Sequence, residues 1–335
     1  MYRRLISQLA HVELLSPKPQ ETVDFFKEII GLTESAREGQ SVYLRGWGDY
    51  FHSSVIVTES DNCGMGHVAW RSEGPDALIE AVERIEASGQ GQGWVDGQLG
   101  HGAAYRYRGP GGHQHEIFWE VERYKAPPEL ASSFPSRPQR YIPRGIMARH
   151  LDHLTIHTAD VMQDVAWYRE TLGYRFMEWT TLGDEADTVV FAMLTNNEKS
   201  HDLGLLFDMS NVPGRLNHIA FWLDTRDEMQ RATEILLGAD IPIEFGPGRH
   251  GQGEQDYLYF REPASGIRIE LNTGGYRIYQ PDWEPVKWVP WQGSNTMYRN
   301  LAAPDSMMEG FPAAEAARPA RAEGEENPFS LINVS

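Results

Sequence analysis

The hydrophobic and polar positions of this chain fall into a pattern that is stated twice. Residues 10–32, AHVELLSPKPQETVDFFKEIIGL, parallel residues 152–174, DHLTIHTADVMQDVAWYRETLGY. Each stretch opens with a histidine, His11 or His153, on an alternating run, the period of a half-buried strand. The apolar period then lengthens to that of a helix. Val23, Phe26 and Ile30 mark its buried stripe in the first copy, and Val161, Val165, Tyr168 and Leu172 in the second. Asp160 suits an N-cap, and Gly31 and Gly173 suit left-handed C-caps.

Two more matched pairs follow. GHVAWR (66–71) parallels NHIAFWL (217–223), and each precedes a helix: near 75–88 with Leu78, Val82 and Ile85, and near 227–237 with Met229, Ala232 and Leu236. HEIFWE (115–120) parallels IELNT (269–273), with turn-bounded strands filling the intervals. A repeat of this length decides architecture. The reading is an α+β chain of four strand–helix–strands units: an N-terminal pair over 1–121, a Pro- and Ser-rich linker at 122–145, and a C-terminal pair over 146–290. Residues 291–335 form an arm and tail. A Trp-rich stretch with Trp283, Trp288 and Trp291 leads into it; Trp288 and Trp291 either pack as part of the tail or close over a pocket, and packing is the expectation. Residues 312–328 are poor in apolar residues and expected to be mobile, and the closing FSLINVS is read as a loosely packed end.

Composition narrows the function. A formal charge of -18 leaves no clustered basic footprint for nucleic acid. Cys63 is the only cysteine, so no internal disulfide and no thiolate metal centre is possible. Polar residues Ser7, Gln8, His11 and Glu13 interrupt any signal-peptide core, and no run is long enough for a membrane span. A soluble cytoplasmic protein is expected.

Alternation puts His153, Thr155 and His157 on one face of the DHLTIHT strand, His218 on the matching face of NHIAFWL, and Glu270 on that of IRIELN. Each strand keeps its other face apolar for packing. If the three line one cup, two imidazoles and a carboxylate converge as metal ligands. Such a set with open positions favours non-haem Fe(II); Mn(II) also fits, and zinc is not excluded by ligand type. The stretch Gly246–Glu270 supplies the rest of the proposed site: glycine-flanked His250, then Tyr257 and Tyr259 on a short strand, a turn at Pro263, and Glu270.

Here the chain resembles the two-domain extradiol ring-cleaving dioxygenases of the vicinal oxygen chelate superfamily, over roughly residues 5–290. The residues that carry it are Gly248, His250, Leu258, Tyr259, Glu262, Pro263 and Glu270. Ser265 stands where the family usually has Gly or Pro, and Gly266 follows as if inserted. The resemblance implies two tandem cup-shaped barrels of βαβββ units, the active site in the C-terminal one. It implies Fe(II), with Mn(II) possible, held by His153, His218 and Glu270. It also implies an acid–base role for His201, and hydrogen bonds from His250 and Tyr259 to the bound diol. Thr155 falls where some relatives carry Asn near the O₂ pocket. The implied reaction is ring cleavage of a catechol by O₂ in aromatic compound catabolism, by a homo-oligomer, a tetramer by resemblance.

In the first half His11, His67 and Glu116 match the three ligands, and His52 and His101 loosely match His201 and His250. Arg106 falls opposite Tyr259, and a cation there disfavours a second active centre, so a relic or structural cluster is expected. Phe245 stands where a carboxylate-binding arginine would be sought, which points to an uncharged catechol; Arg249 and Arg299 are the candidates for the opposite outcome. Two other classes compete. A glyoxalase-like metal-dependent isomerase or lyase would not need His201, His250 and Tyr259 together. A metal-free ligand-sequestering protein would gain nothing from three buried polar groups left unpaired.

Overall fold

The computed structural model describes residues 3–183, 188–289, 292, 294–295 and 303–312. Trp291, Arg299 and the tail from 313 onward, including all but Pro312 of the stretch expected to be mobile and the terminal FSLINVS, lie outside them.

The strands of the first half are β1 (Ile6–Ser16), β2 (Thr33–Glu38), β3 (Ser41–Arg45), β4 (Val55–Glu59), β5 (Gly64–Ser72), β6 (Gly91–Val95), β7 (Ala104–Arg108) and β8 (Gln114–Phe118). Its helices are α1 (Pro19–Phe25) and α2 (Pro75–Ala87). The second half repeats the order with β9 (His150–Thr158), α3 (Val161–Leu172), β10 (Arg175–Thr181), β11 (Val189–Thr195), β12 (Leu203–Phe207), β13 (Leu216–Trp222), α4 (Arg226–Gly238), β14 (Ile243–Arg249), β15 (Gln255–Arg261) and β16 (Arg268–Gly274). Four βαβββ units result, two per sheet, which is the fold expected from the repeat.

The first sheet runs β2-β3-β4-β1-β5-β8-β7-β6, and the second runs β14-β15-β16-β13-β9-β12-β11-β10 with a short edge strand, β17 (Val286–Trp288), beside β10. In each sheet the opening strands of the two units pair antiparallel at the centre, β1 with β5 and β9 with β13. Each also pairs parallel with the last strand of its own unit. That crossing brings the first strands of both units next to the last, so residues far apart in sequence meet at the sheet centre.

The helix caps follow the expected chemistry. Asp160 accepts from the Gln163 backbone N–H at 3.0 Å, and Thr225 with Glu228 forms a capping box on α4. One departure is α1, which widens into a π-helical turn over Phe26–Ile30. Gly31 and Gly173 end their helices at φ 84° and 77°. Both also sit where chain from elsewhere passes: a Cβ on Gly31 would come 2.4 Å from the Arg144 carbonyl oxygen, and one on Gly173 2.0 Å from that of Arg3. The halves are thereby interlocked. Leu5 N–H donates to the Leu172 carbonyl at 3.3 Å, and Ile146 N–H to the Ile29 carbonyl at 2.8 Å. One continuous apolar core runs through both, from Val23 and Trp70 to Phe221 and Leu271.

The turn after β15 closes in spite of Ser265. The Glu262 carboxylate accepts from the backbone N–H of Ala264 (2.7 Å) and Ser265 (2.6 Å) and from the Ser265 hydroxyl, and Gly266 takes the positive φ of 75°. Trp283 donates to the Met177 carbonyl at 3.1 Å and Trp288 to Glu178, so both pack on β10 rather than over a pocket. No helix among the described residues is long and apolar enough to cross a membrane.

Candidate metal centre

Register builds the site. His153 on β9 faces Ala220 on β13, Ala220 faces Glu270 on β16, and Glu270 faces Tyr259 on β15. This single rung crosses four strands, and the small Ala220 leaves room between the histidine and the glutamate. His218 lies two residues along β13 on the same face. His153 Nε2 is 3.0 Å and His218 Nε2 3.1 Å from Glu270 Oε2, and the three donor atoms lie within 4.8 Å of one another. All three side chains are buried. Glu270 sits inside its strand, which continues to Gly274.

Two neighbours that strand alternation assigns to the opposite face orient these imidazoles. Asp152 Oδ2 accepts from His153 Nδ1 at 2.8 Å, and Asn217 Oδ1 from His218 Nδ1 at 2.8 Å. Both residues fall at register shifts of the β9–β13 ladder, between Ala220/Phe221 and between Leu216/His218. A bulge re-aims a side chain, and here it does so twice. Lys199 neutralises Asp152 at 3.1 Å, and Asn272 donates to it at 3.2 Å. With Nδ1 committed as donor, each ring turns its Nε2 toward the carboxylate, and that nitrogen can serve as a metal ligand once the ring is neutral.

The electrostatics are those of a cation site. Burial opposes the charged form of His153, but Glu270 and Asp152 outweigh it and raise its pKa to about 9. Burial holds His218 down to about 4, and its Nε2 is enclosed without a hydrogen-bond partner. Glu270, also penalised by burial, is kept far below its usual range by the two imidazoles. Two oriented imidazoles and a carboxylate aimed at one point, with the His218 Nε2 lacking a hydrogen-bond partner, fit a divalent ion of the hard-to-borderline kind, which would displace the proton His153 otherwise holds.

A cavity opens beside this cluster. His201, buried, lies with its ring 4.0 Å from that of His153, and its Nδ1 is 3.2 Å from the Ser200 hydroxyl. It is no surface histidine paired to Asp202, whose carboxylate instead receives Thr195, Asn196, Asn197 and Lys199. His250 Nδ1 donates to the Asn295 carbonyl at 2.6 Å, so its Nε2 accepts from the Tyr259 hydroxyl at 3.0 Å. Thr155 faces the cavity with its hydroxyl unpartnered. The remaining walls include Val190, Phe191, Met193, Leu206, Phe245, Met307 and Met308, and no arginine or lysine is among the lining residues that the structure describes. Arg249 instead bonds Glu254 at 2.9 Å.

Residues 150–271 match the Glyoxalase/Bleomycin resistance protein/Dioxygenase superfamily. The chain is 37% identical over 306 residues to a metapyrocatechase of Geobacillus stearothermophilus, covering 90% of this chain and 92% of that one. It is 35% identical to a manganese-dependent 2,3-dihydroxybiphenyl 1,2-dioxygenase of Geobacillus genomosp. 3, over 84% and 90% of the two chains. Among solved structures, the homoprotocatechuate 2,3-dioxygenase of Brevibacterium fuscum, in complex with 3,4-dihydroxyphenylacetate, superposes with a TM-score of 0.80 at 25% identity, over 92% and 93% of the chains.

Proposed function

Because this chain belongs to the extradiol ring-cleaving dioxygenases of the vicinal oxygen chelate superfamily, we propose that His153, His218 and Glu270 hold its metal, and that His201, His250 and Tyr259 manage its protons. The enzyme opens a catechol beside its hydroxyls with O₂, and both oxygen atoms enter the product. The convergence of two oriented imidazoles on one buried carboxylate beside the cavity is the observation that supports this ligand set.

We propose Fe(II) as the ion, with Mn(II) the second reading, since a relative at 35% identity is named manganese-dependent. His153, His218 and Glu270 would hold the ion, which would supply the Lewis-acid and electron-transfer chemistry that activates the diol and O₂ toward one another.

The side chains do the rest. Burial and the neighbouring His153 keep the His201 pKa well below the ordinary value, so the ring is neutral at pH 7. It can take a diol proton and return it to the oxygen that departs as the ring opens. Burial, reinforced by the Glu270 charge, pushes the Tyr259 hydroxyl well above its usual range. It stays a phenol, able to donate to developing oxygen charge while His250 Nε2 lies 3.0 Å behind it to receive a proton. Apolar walls exclude water from these groups.

Among the described residues the lining holds no arginine or lysine, which favours an uncharged catechol with an apolar substituent, because a carboxylate buried without a partner is costly. Family likeness further supports a cytoplasmic homo-oligomer. The test is a panel of catechols added anaerobically to Fe(II)-loaded protein, followed by air. Uptake of one O₂ per yellow ring-opened product is expected. Stoichiometric iron without O₂ uptake on any catechol contradicts the reading.

A further inference from the structure

A second cluster of the same composition lies in the first half, built by the same rung. His11 on β1 faces Ala69 on β5, Ala69 faces Glu116 on β8, and Glu116 faces Arg106 on β7. His11 Nε2 and His67 Nε2 are 3.0 Å apart and lie 3.6 and 3.5 Å from Glu116 Oε1. For bonds of about 2.0–2.2 Å to a divalent ion, donors at right angles stand about 3.0 Å apart and tetrahedral donors about 3.4 Å. One ion can touch all three.

The surroundings are arranged for such an ion. Glu13 Oε2 accepts from His67 Nδ1 at 2.8 Å, and Thr58 donates to Glu13 Oε1 at 2.6 Å, which fixes the His67 ring with its Nε2 lone pair inward. Gly66 is what lets Glu13 approach, since a Cβ there would lie 2.1 Å from Glu13 Oε2. His101 is set likewise. Its Nδ1 donates to the Gly102 carbonyl at 2.8 Å, and its Nε2 faces Glu116 Oε1 at 3.6 Å. Glu116 Oε1 and His101 Nε2 are both buried and lack hydrogen-bond partners. A proton on His11 could bridge the pair of imidazoles, but it leaves those two acceptors facing one another with no hydrogen between them. A cation satisfies both.

We propose that His11, His67 and Glu116 form a second divalent-metal site, with His101 beside it, and that this site is structural. It is not a second ring-cleaving centre. The Arg106 guanidinium occupies the rung position of Tyr259 and touches Glu116 Oε2 at 3.4 Å, while His101 is stacked on Phe118 at 4.2 Å. Three nitrogens and a carboxylate of this kind suit Zn²⁺.

The test uses full-length protein stripped with a chelator, then dialysed against Zn²⁺ and analysed for bound metal. Wild type should retain two ions per chain, Glu270→Gln one, Glu116→Gln one, and the double variant none. Zn²⁺ should also raise the Tm of Glu270→Gln, in which only the first-half site remains. Glu116→Gln should keep its ring-cleaving activity, so the proposal fails separately from the assignment of the catalytic ligands. One ion in both wild type and Glu116→Gln, or no Tm rise in Glu270→Gln, overturns it. If Glu116→Gln does not fold, His11→Gln carries the same count.

Discussion

Tyr259 and Arg106 occupy equivalent positions in the two halves, each paired across an antiparallel ladder with the glutamate of its own cluster. Around them the clusters are nearly the same: histidine, alanine and glutamate on one rung, a second histidine two residues along. What differs is the side chain at the rung's end. A phenol beside Glu270 leaves the cavity open and can donate a hydrogen bond; a guanidinium beside Glu116 neutralises one carboxylate oxygen. The proposed division of labour between the halves rests on that exchange.

Tyr259→Phe keeps the ring and removes only the hydroxyl that His250 accepts. Loss of one oriented donor should lower kcat/KM by about 10–10³-fold. Iron content should stay unchanged, as measured by metal analysis alongside steady-state kinetics. A parallel loss of iron contradicts the separation of ligand from donor.

His201→Asn should lower kcat by about 10²–10⁴-fold, the ordinary range for a lost acid–base group. KM should change little, because the cavity walls remain. The readout is a pH–rate profile: the variant should lose the limb that the wild type owes to this ring.

Phe245 tests the substrate reading. Wild-type enzyme should prefer an alkyl- or phenyl-substituted catechol over 3,4-dihydroxyphenylacetate by at least about 10²-fold in kcat/KM, since no arginine or lysine is among the described lining residues. Phe245→Arg should narrow or reverse that ratio. Equal rates on both substrates in the wild type contradict the account.

Asp164, on α3 where the halves meet, gives a stability prediction with a definite sign. Burial, together with nearby Asp160, raises its pKa to about 7 from the usual carboxylate value, and its Oδ2 has no hydrogen-bond partner. The folded state therefore binds the extra proton between about pH 4 and pH 7, and stability falls as pH rises through that window. Asp164→Asn should be more stable than wild type at pH 8, by roughly 2–4 kcal/mol, and nearly equal at pH 4. Urea denaturation at the two pH values measures it.

Much of this arrangement was legible in the sequence, and the exceptions share a cause. His153, His218 and Glu270 could be brought together because alternation and the repeat both mark them. The helix stripes and the Gly31 and Gly173 caps followed from local period and φ preference. Asp152 and Asn217 escaped because alternation turns a neighbour to the opposite face, and only bulges in the ladder bring them back. Ala220 escaped because its contribution is the space it leaves. The interlock of Leu5 with Leu172 and of Ile146 with Ile29 depends on how the halves pack, which no local pattern encodes.

The measurement that reaches the central claim most directly is O₂ consumption with catechol by iron-loaded Glu270→Gln and Glu116→Gln, compared side by side with wild type. The account predicts at least about 10³-fold loss in Glu270→Gln, as expected when a metal ligand that assembles the reaction is removed, and activity within about threefold of wild type in Glu116→Gln. Retained activity in Glu270→Gln, or its loss in a folded Glu116→Gln, contradicts the placement of catalysis in the second half.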